Sequence, residues 1–187
     1  ITVANIWSNN GPEGAAAVFA PQKGASPEQV VMLDNQLCLW SALLKQHTGK
    51  DVTRLKHGGA AGGITAAMHA LLNAQLISGS EYCLTLSHFH DNLLQAGIVI
   101  TGEGKIDIQS FYGKIPGTVA TLCLQQNVPV YAVVGLAEKQ VLTRFDKVFT
   151  MSQYARSIQD SIKNAPYYLK IIAQAIVDTL YSSAYSD

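Results

Sequence analysis

Apolar residues recur at helical spacing along "GASPEQVVMLDNQLCLWSALLKQHTG", where Val30, Leu33, Leu37, Trp40 and Leu44 fall on one face. Ser26 is a candidate N-cap, Pro27 suits the first helical position, and Gly49 closes the segment. A second helix is expected inside "HGGAAGGITAAMHALLNAQLISG", with Ile64, Ala67, Met68, Leu71, Leu72 and Leu76 as its buried stripe and Gly79 as its stop. Trp40 and Met68 lie on these stripes and read as core. "EYCLTLSHFHDNLLQAG" gives one or two short helices, and "IVIT" a short, wholly apolar strand of the parallel-sheet kind. Pro116 starts a helix through "GTVATLCLQQ", Asn127 ends it, and "VPVYAVVG" is a second buried strand. Strand, helix and strand in this order make a βαβ unit, expected to be right-handed. "FDKVFTM" reads as a third strand, "ITVANI" as another at the start of the chain, and residues 157–183 as helical with a break near Pro166. The pattern therefore predicts an α/β fold: a mainly parallel sheet with flanking helices and a Rossmann-like βαβ unit. Residues 1–95 are assigned to part of one α/β lobe carrying glycine-rich loops, and 96–187 to the βαβ lobe.

Composition narrows the partners. The 187 residues carry 13 basic and 13 acidic side chains, so no basic field draws nucleic acid or an anionic membrane. A small-molecule substrate is expected. No window of about 18 residues is apolar enough to span a membrane, and the N-terminus shows no basic-then-apolar signal pattern. Cys38, Cys83 and Cys123 lie far apart inside apolar segments and read as buried thiols in a reducing, cytoplasmic setting. A homo-oligomer is compatible with the sequence, which does not set its order.

The chemistry concentrates in "AGIVITGEGKIDIQSFYGK", residues 96–114, where an apolar strand runs into Gly102, Glu103, Gly104, Lys105 and Asp107. Ligands of open α/β sheets bind beyond the carboxyl ends of the strands. Glycines there allow tight turning or close approach, Glu103 or Asp107 could hold a hard cation such as Mg²⁺, and Lys105 or Lys114 could neutralise phosphate. The stretch is neither a Walker A loop nor a GxGxxG fingerprint, so a phosphate or metal loop and a solvated polar turn both remain open. "KHGGAAGG" places Gly58, Gly59, Gly62 and Gly63 before a helix, either to expose N–H groups to an anion or to allow close packing. His57 reads as a solvated loop residue. His88 and His90 are spaced as on a strand beside Asp91, without further ligands to make a metal site. "NNGPEGAAAVFAPQKGA" reads as a third glycine-bearing loop, with Glu13 and Lys23 flanking an apolar run.

Together, "GPEGAAAVFAPQKGAS", "GGAAGG" before a helix and "VITGEGKIDIQSFYGKIP" resemble the signature segments of the glycerate kinase family of the bacterial two-domain type. They occur in that family's order and cover nearly all of the chain. The resemblance implies ATP-dependent, Mg²⁺-requiring phosphorylation of D-glycerate to a phosphoglycerate, with the 2-phosphate expected, by a protein of two α/β lobes. It singles out Gly102, Glu103, Gly104, Asp107, Gln109, Ser110 and Lys114, then Gly58, Gly59, Gly62 and Gly63, then Gly11, Gly14 and Lys23. Asp107, Lys105 and Lys114 are the expected catalytic residues, and Glu103 and Asp107 the expected metal ligands. Gly58, Gly59, Gly62, Gly63, Gly102, Gly104, Gln109 and Ser110 are expected to bind the nucleotide cofactor.

Several positions depart from the family pattern. Ala4 stands where an aspartate is expected, Lys105 where arginine is more usual, and Ile108 where glycine is common. The family's chains are about twice as long, and the match falls on their C-terminal half, so the chain is expected to be a fragment inactive by itself. Two functions stay open: the C-terminal part of an active glycerate kinase, or a non-catalytic homologue that binds a small carboxylate or nucleotide or serves in assembly.

Overall fold

The computed structural model describes residues 2–3 and 10–184. The chain divides into two compact units: Ile1–His88 with Tyr112–Lys114, and Phe89–Phe111 with Ile115–Asp187. The division falls at His88–Phe89, where the sequence expectation placed it at 95–96.

In the first unit, β1 (Thr2–Val3) pairs in parallel with β2 (Ile77–Ser78). Between them lie α1 (Ala15–Phe19), α2 (Pro27–Thr48) and α3 (Ile64–Leu72), and α4 (Gly79–Leu86) follows β2. The sequence signals for α2 act as expected. Ser26 and Gln29 form a reciprocal capping box, Pro27 occupies the first turn, and Gly49 ends the helix with φ +75°. Lys45, in the last turn, pairs with Asp51 at 2.8 Å.

The buried faces differ from those the periodicity predicted. The core of this unit joins Leu44, Val52, Ala66 and Ala70, with Leu55 and Ala67 packed against it. On α3 the buried residues are Thr65, Ala66 and Ala70, whereas Leu71 and Leu72 are exposed, the latter by 69%. Small side chains bring this helix close to its neighbours, and the large apolar ones point outward. Trp40, Leu33 and Met68 are likewise exposed rather than core, Trp40 by 40%. α3 also ends earlier than expected, at Leu72, because Asn73 takes a left-handed conformation with φ +55°. Gly79 opens α4 instead of stopping a helix; Ser78 caps it by accepting from the Glu81 N–H at 3.3 Å. The apolar run after Gly14, read as loop, folds as the short helix α1 followed by a 3₁₀ turn, Pro21–Lys23.

The second unit begins with α5 (Phe89–Leu93) and continues through β3 (Val99–Ile106), α6 (Ile115–Gln126), β4 (Val130–Ala137), β5 (Lys147–Thr150), α7 (Ile158–Lys163) and α8 (Ala165–Ala184). The three strands form a parallel sheet in the order β3-β4-β5. Asn127 ends α6 with φ +54°, and the break between α7 and α8 falls at Asn164, with Pro166 in the first turn of α8. α8 covers one face of the sheet through Ile172 and Ile176, which pack with Tyr131, Val133 and Phe149. α6 packs on β3 and β4, burying Val119, Ala120 and Cys123. Its Gly117 lies so close to Ser110 O and Phe111 Cα that a Cβ there would collide with both.

Two local expectations are corrected. Cys38 and Cys83 are exposed, and of the three thiols Cys123 alone is buried. Burial first, and the Asp146 charge second, push the Cys123 thiol up. His88 has φ +52° and His90 lies in α5, so the strand-like alternation of the two histidines is not adopted. No helix among the described residues is long and apolar enough to cross a membrane.

Candidate active site

The sequence expected a turn from Gly102 to Asp107, but the backbone stays in β3 through Ile106, paired with β4 as far as Ala137. Of the two glycines of "TGEGK", Gly102 serves this pairing, whereas a Cβ on Gly104 would meet open space. A Cβ on Gly102 would sit 2.7 Å from Val133 O, and one on Gly135 of β4 would strike Gly104 O. Glycine is needed here for close approach of two strands rather than for turning. The turn begins only at Asp107 and passes through a 3₁₀ segment, Ile108–Phe111.

Strand alternation places Glu103 and Lys105 on one side of β3, and the turn brings Asp107 back to them. Lys105 Nζ lies 2.8 Å from Glu138 Oε1 and 3.4 Å from Asp107 Oδ2. Asp107 Oδ1 accepts the Gln109 N–H at 2.9 Å, an Asx-type turn that fixes the carboxylate. Ser110 is fully buried; its hydroxyl donates to Glu103 Oε2 at 2.7 Å and accepts the Asp107 N–H at 3.2 Å. Glu103, Lys105, Asp107, Gln109 and Ser110 are therefore one hydrogen-bonded group at the carboxyl ends of parallel strands. Glu138 foremost, and Asp107 after it, hold the Lys105 ammonium above the usual lysine range.

Glu138 was absent from the residues singled out in the sequence. Register would have found it: Val99 pairs with Val130 and Ile106 with Ala137, so the next step along both strands sets Glu138 beside Asp107. Its N–H donates to Ile106 O at 3.0 Å, and its Oε2 accepts from Gln140 Nε2 at 2.9 Å.

The other predicted residues lie in the first unit. Gly58, Gly59, Gly62 and Gly63 form a run of tight turns in which successive N–H groups bond backward, Gly58 to Leu55 O, Gly62 to Gly59 O and Gly63 to Ala60 O. Gly62 and Gly63 take φ +74° and +98°, which a side chain would strain, and a Cβ on Gly58 would come within 2.8 Å of Leu55 O. The Thr65 hydroxyl pins the loop by donating toward His57 O and Gly58 O. His57, expected to be solvated, is buried. Gly62 and Lys23 line a common cleft of about 570 Å³ with Ala15, Phe19, Gln36 and Trp40. Gly11 and Gly14 form the turn before α1; the Gly14 N–H donates to Gly11 O, and the Gly11 N–H donates to Asp34 Oδ1 at 2.8 Å. Lys114 is half-buried and clusters with the first unit. The substitution of Ala4 for the expected aspartate lies outside the described residues.

Whether the carboxylates suit Mg²⁺ can be judged from their bonds. Within the turn the Ser110 hydroxyl donates to Glu103 Oε2 and the Gln109 N–H to Asp107 Oδ1, Lys105 Nζ lies 3.4 Å from Asp107 Oδ2, and a carboxylate has about four acceptor positions. Among the described residues no cluster of three or more metal-ligating side chains exists. Mg²⁺ is commonly held by one or two carboxylates, with phosphates and waters completing its shell, so this pair fits it and a closed cage is not required.

A family model described as "Glycerate kinase family" matches residues 3–181. The chain is 44% identical over 125 residues to a glycerate kinase of Halalkalibacterium halodurans, covering 67% of this chain and 33% of that protein. It is 41% identical over 125 residues to a glycerate 2-kinase of Escherichia coli K12, with the same shares covered. With a glycerate kinase of Haemophilus influenzae it shares 36% identity over 171 residues, 89% of this chain and 45% of that one. A crystal structure named as a glycerate kinase 2 from Salmonella typhimurium LT2 superposes with a TM-score of 0.64 at 36% identity, over 98% of this chain and 48% of that chain. The chain thus spans less than half the length of the relatives it matches. By sequence and by fold, it belongs to the glycerate kinase family.

Proposed function

We propose that this chain is the C-terminal part of a cytoplasmic kinase that uses ATP and Mg²⁺ to phosphorylate D-glycerate, with 2-phosphoglycerate as the product. One observation carries the reading: the Glu103, Lys105, Asp107 and Ser110 group stands at the carboxyl ends of β3 and β4, where open parallel sheets bind their ligands. In the reaction the glycerate hydroxyl oxygen bonds to the γ-phosphorus and gives up its proton to water, the bond to the bridging oxygen breaks, and ADP leaves with that electron pair. Such transfers depend on positioning and charge stabilisation more than on covalent chemistry. Glu103 and Asp107 are the residues that would hold the cation, which supplies charge neutralisation when bound. Lys105 and Lys114 balance phosphate charge. Gln109 and Ser110 set the Asp107 and Glu103 carboxylates, and Gly102, with Gly135 on β4, lets the strands approach closely enough to carry them. Gly58, Gly59, Gly62 and Gly63 are proposed for the nucleotide, with support from the cleft that Gly62 and Lys23 share.

The test is an ADP-release assay of the full-length protein with D-glycerate and related hydroxy acids. Turnover with D-glycerate is expected, and Asp107→Asn should lower kcat about 100-fold, a loss of about 3 kcal/mol in transition-state stabilisation. An Asp107→Asn variant of matched stability with unchanged kcat removes Asp107 from the site.

A further inference from the structure

Lys105 stands between two carboxylates, and it lies nearer to the one that no motif marks. Glu138 Oε1 is 2.8 Å from Nζ and Asp107 Oδ2 is 3.4 Å away. Glu138 is itself held from two sides, by its N–H bond to Ile106 O and by Gln140 Nε2 on Oε2. Its position is thus set by the β3–β4 register and not by a flexible loop. Lys105 is half exposed and has the reach to turn toward either acid.

We propose that Glu138 is a positioning residue that draws the Lys105 ammonium away from Asp107, leaving Asp107 able to accept a divalent cation. Without the Glu138 charge, Lys105 closes on Asp107 and competes with the cation for the same carboxylate. This inference rests on the proposed function, because it assumes that Asp107 is a cation ligand. It does not require Glu138 to touch substrate, nucleotide or metal. A through-space effect of the Glu138 charge on the cation would give a different signature, since it would act whether or not Lys105 is present.

The experiment measures Mn²⁺ affinity, as a stand-in for Mg²⁺, by calorimetry on full-length protein saturated with ADP. Five proteins are compared: wild type, Asp107→Asn, Glu138→Gln, Lys105→Met and the Glu138→Gln/Lys105→Met double variant. Glu138→Gln keeps the size of the side chain and an acceptor oxygen, and it should weaken Mn²⁺ binding about fivefold, the scale of one exposed charge pair. In the Lys105→Met background the same change should leave affinity within about twofold, because the competing ammonium is gone. An equal loss in both backgrounds overturns the proposal in favour of direct electrostatics, and no loss in either overturns it outright. If Asp107→Asn leaves Mn²⁺ affinity unchanged, the cation reading of the site fails and this inference falls with it. If Asp107→Asn weakens binding and Glu138→Gln does not, only the role of Glu138 is refuted.

Discussion

Replacing Ser110 by alanine removes one oxygen from a fully buried position and tests how the charged group is held together. The hydroxyl has two partners, Glu103 Oε2 at 2.7 Å and the Asp107 N–H at 3.2 Å. Removing a donor from a carboxylate costs about 1.5–3 kcal/mol, and leaving a backbone N–H without its partner costs about 1–3 kcal/mol. Both partners are half-buried, so water recovers part of each loss and the lower ends apply. The expected destabilisation is about 2–3 kcal/mol. For a chain of this length that corresponds to about 5–10 °C in melting temperature. Urea titration should show a lower midpoint with an unchanged slope, since the same surface is exposed on unfolding. Hydrogen exchange should speed up at the Asp107 and Gln109 amides before it does so in β4, because the turn is loosened and the sheet is not. Ser110→Cys, with a weak donor of similar shape, should fall between serine and alanine. A loss below about 0.5 kcal/mol for Ser110→Ala, within the range of ordinary surface substitutions, would refute the claim that this hydroxyl pins the turn.

Two further outcomes follow from the geometry. Gly102→Ala puts a methyl 2.7 Å from Val133 O, so β3 and β4 must separate; a loss of more than about 2 kcal/mol in urea unfolding is expected, and a neutral variant would show that the strands give way easily. In the α7–α8 corner the Tyr168 hydroxyl, 2.6 Å from Asp160 Oδ2, is the main cause holding the Asp160 carboxyl below its ordinary range. A depressed folded value gives stability that is present above the unfolded carboxylate pKa and is lost as pH falls through the folded one. Tyr168→Phe should therefore raise the Asp160 midpoint in carboxyl ¹³C NMR and narrow the stability gap from wild type below about pH 4; an unmoved midpoint would contradict it.

Local chemistry was legible in the sequence, and long-range partners were not. Ser26, Pro27 and Gly49 marked the ends of α2, and Asn127 the end of α6, because caps act within one turn of the backbone. The run of apolar residues in β4 marked a strand buried on both faces. What the apolar stripe of α3 would meet could not be read: periodicity shows that Leu71 and Leu72 share a surface region, but not that Thr65, Ala66 and Ala70 would take the core. Gly102 was ambiguous in another way, since glycine serves both turns and close strand contacts and a single sequence does not separate the two uses. Glu103, Lys105 and Asp107 were visible as an alternating trio. The acid that completes their charge pattern lies 33 residues from Lys105 and becomes evident only once β3 and β4 are in register.

The contact of Gly117 with Ser110 O and Phe111 Cα ties the first turn of α6 to the end of the charged turn, with no side chain between them. A displacement of that helix cannot be absorbed by a rotamer change at this contact, because only backbone meets backbone. The turn and the first turn of α6 therefore meet through backbone alone, and a shift of that helix end is passed to Ser110, which bonds Glu103 and the amide of Asp107. A substitution in the first turn of α6, at the exposed Ile115 for example, is thus expected to reach the carboxylates without a change to either acid.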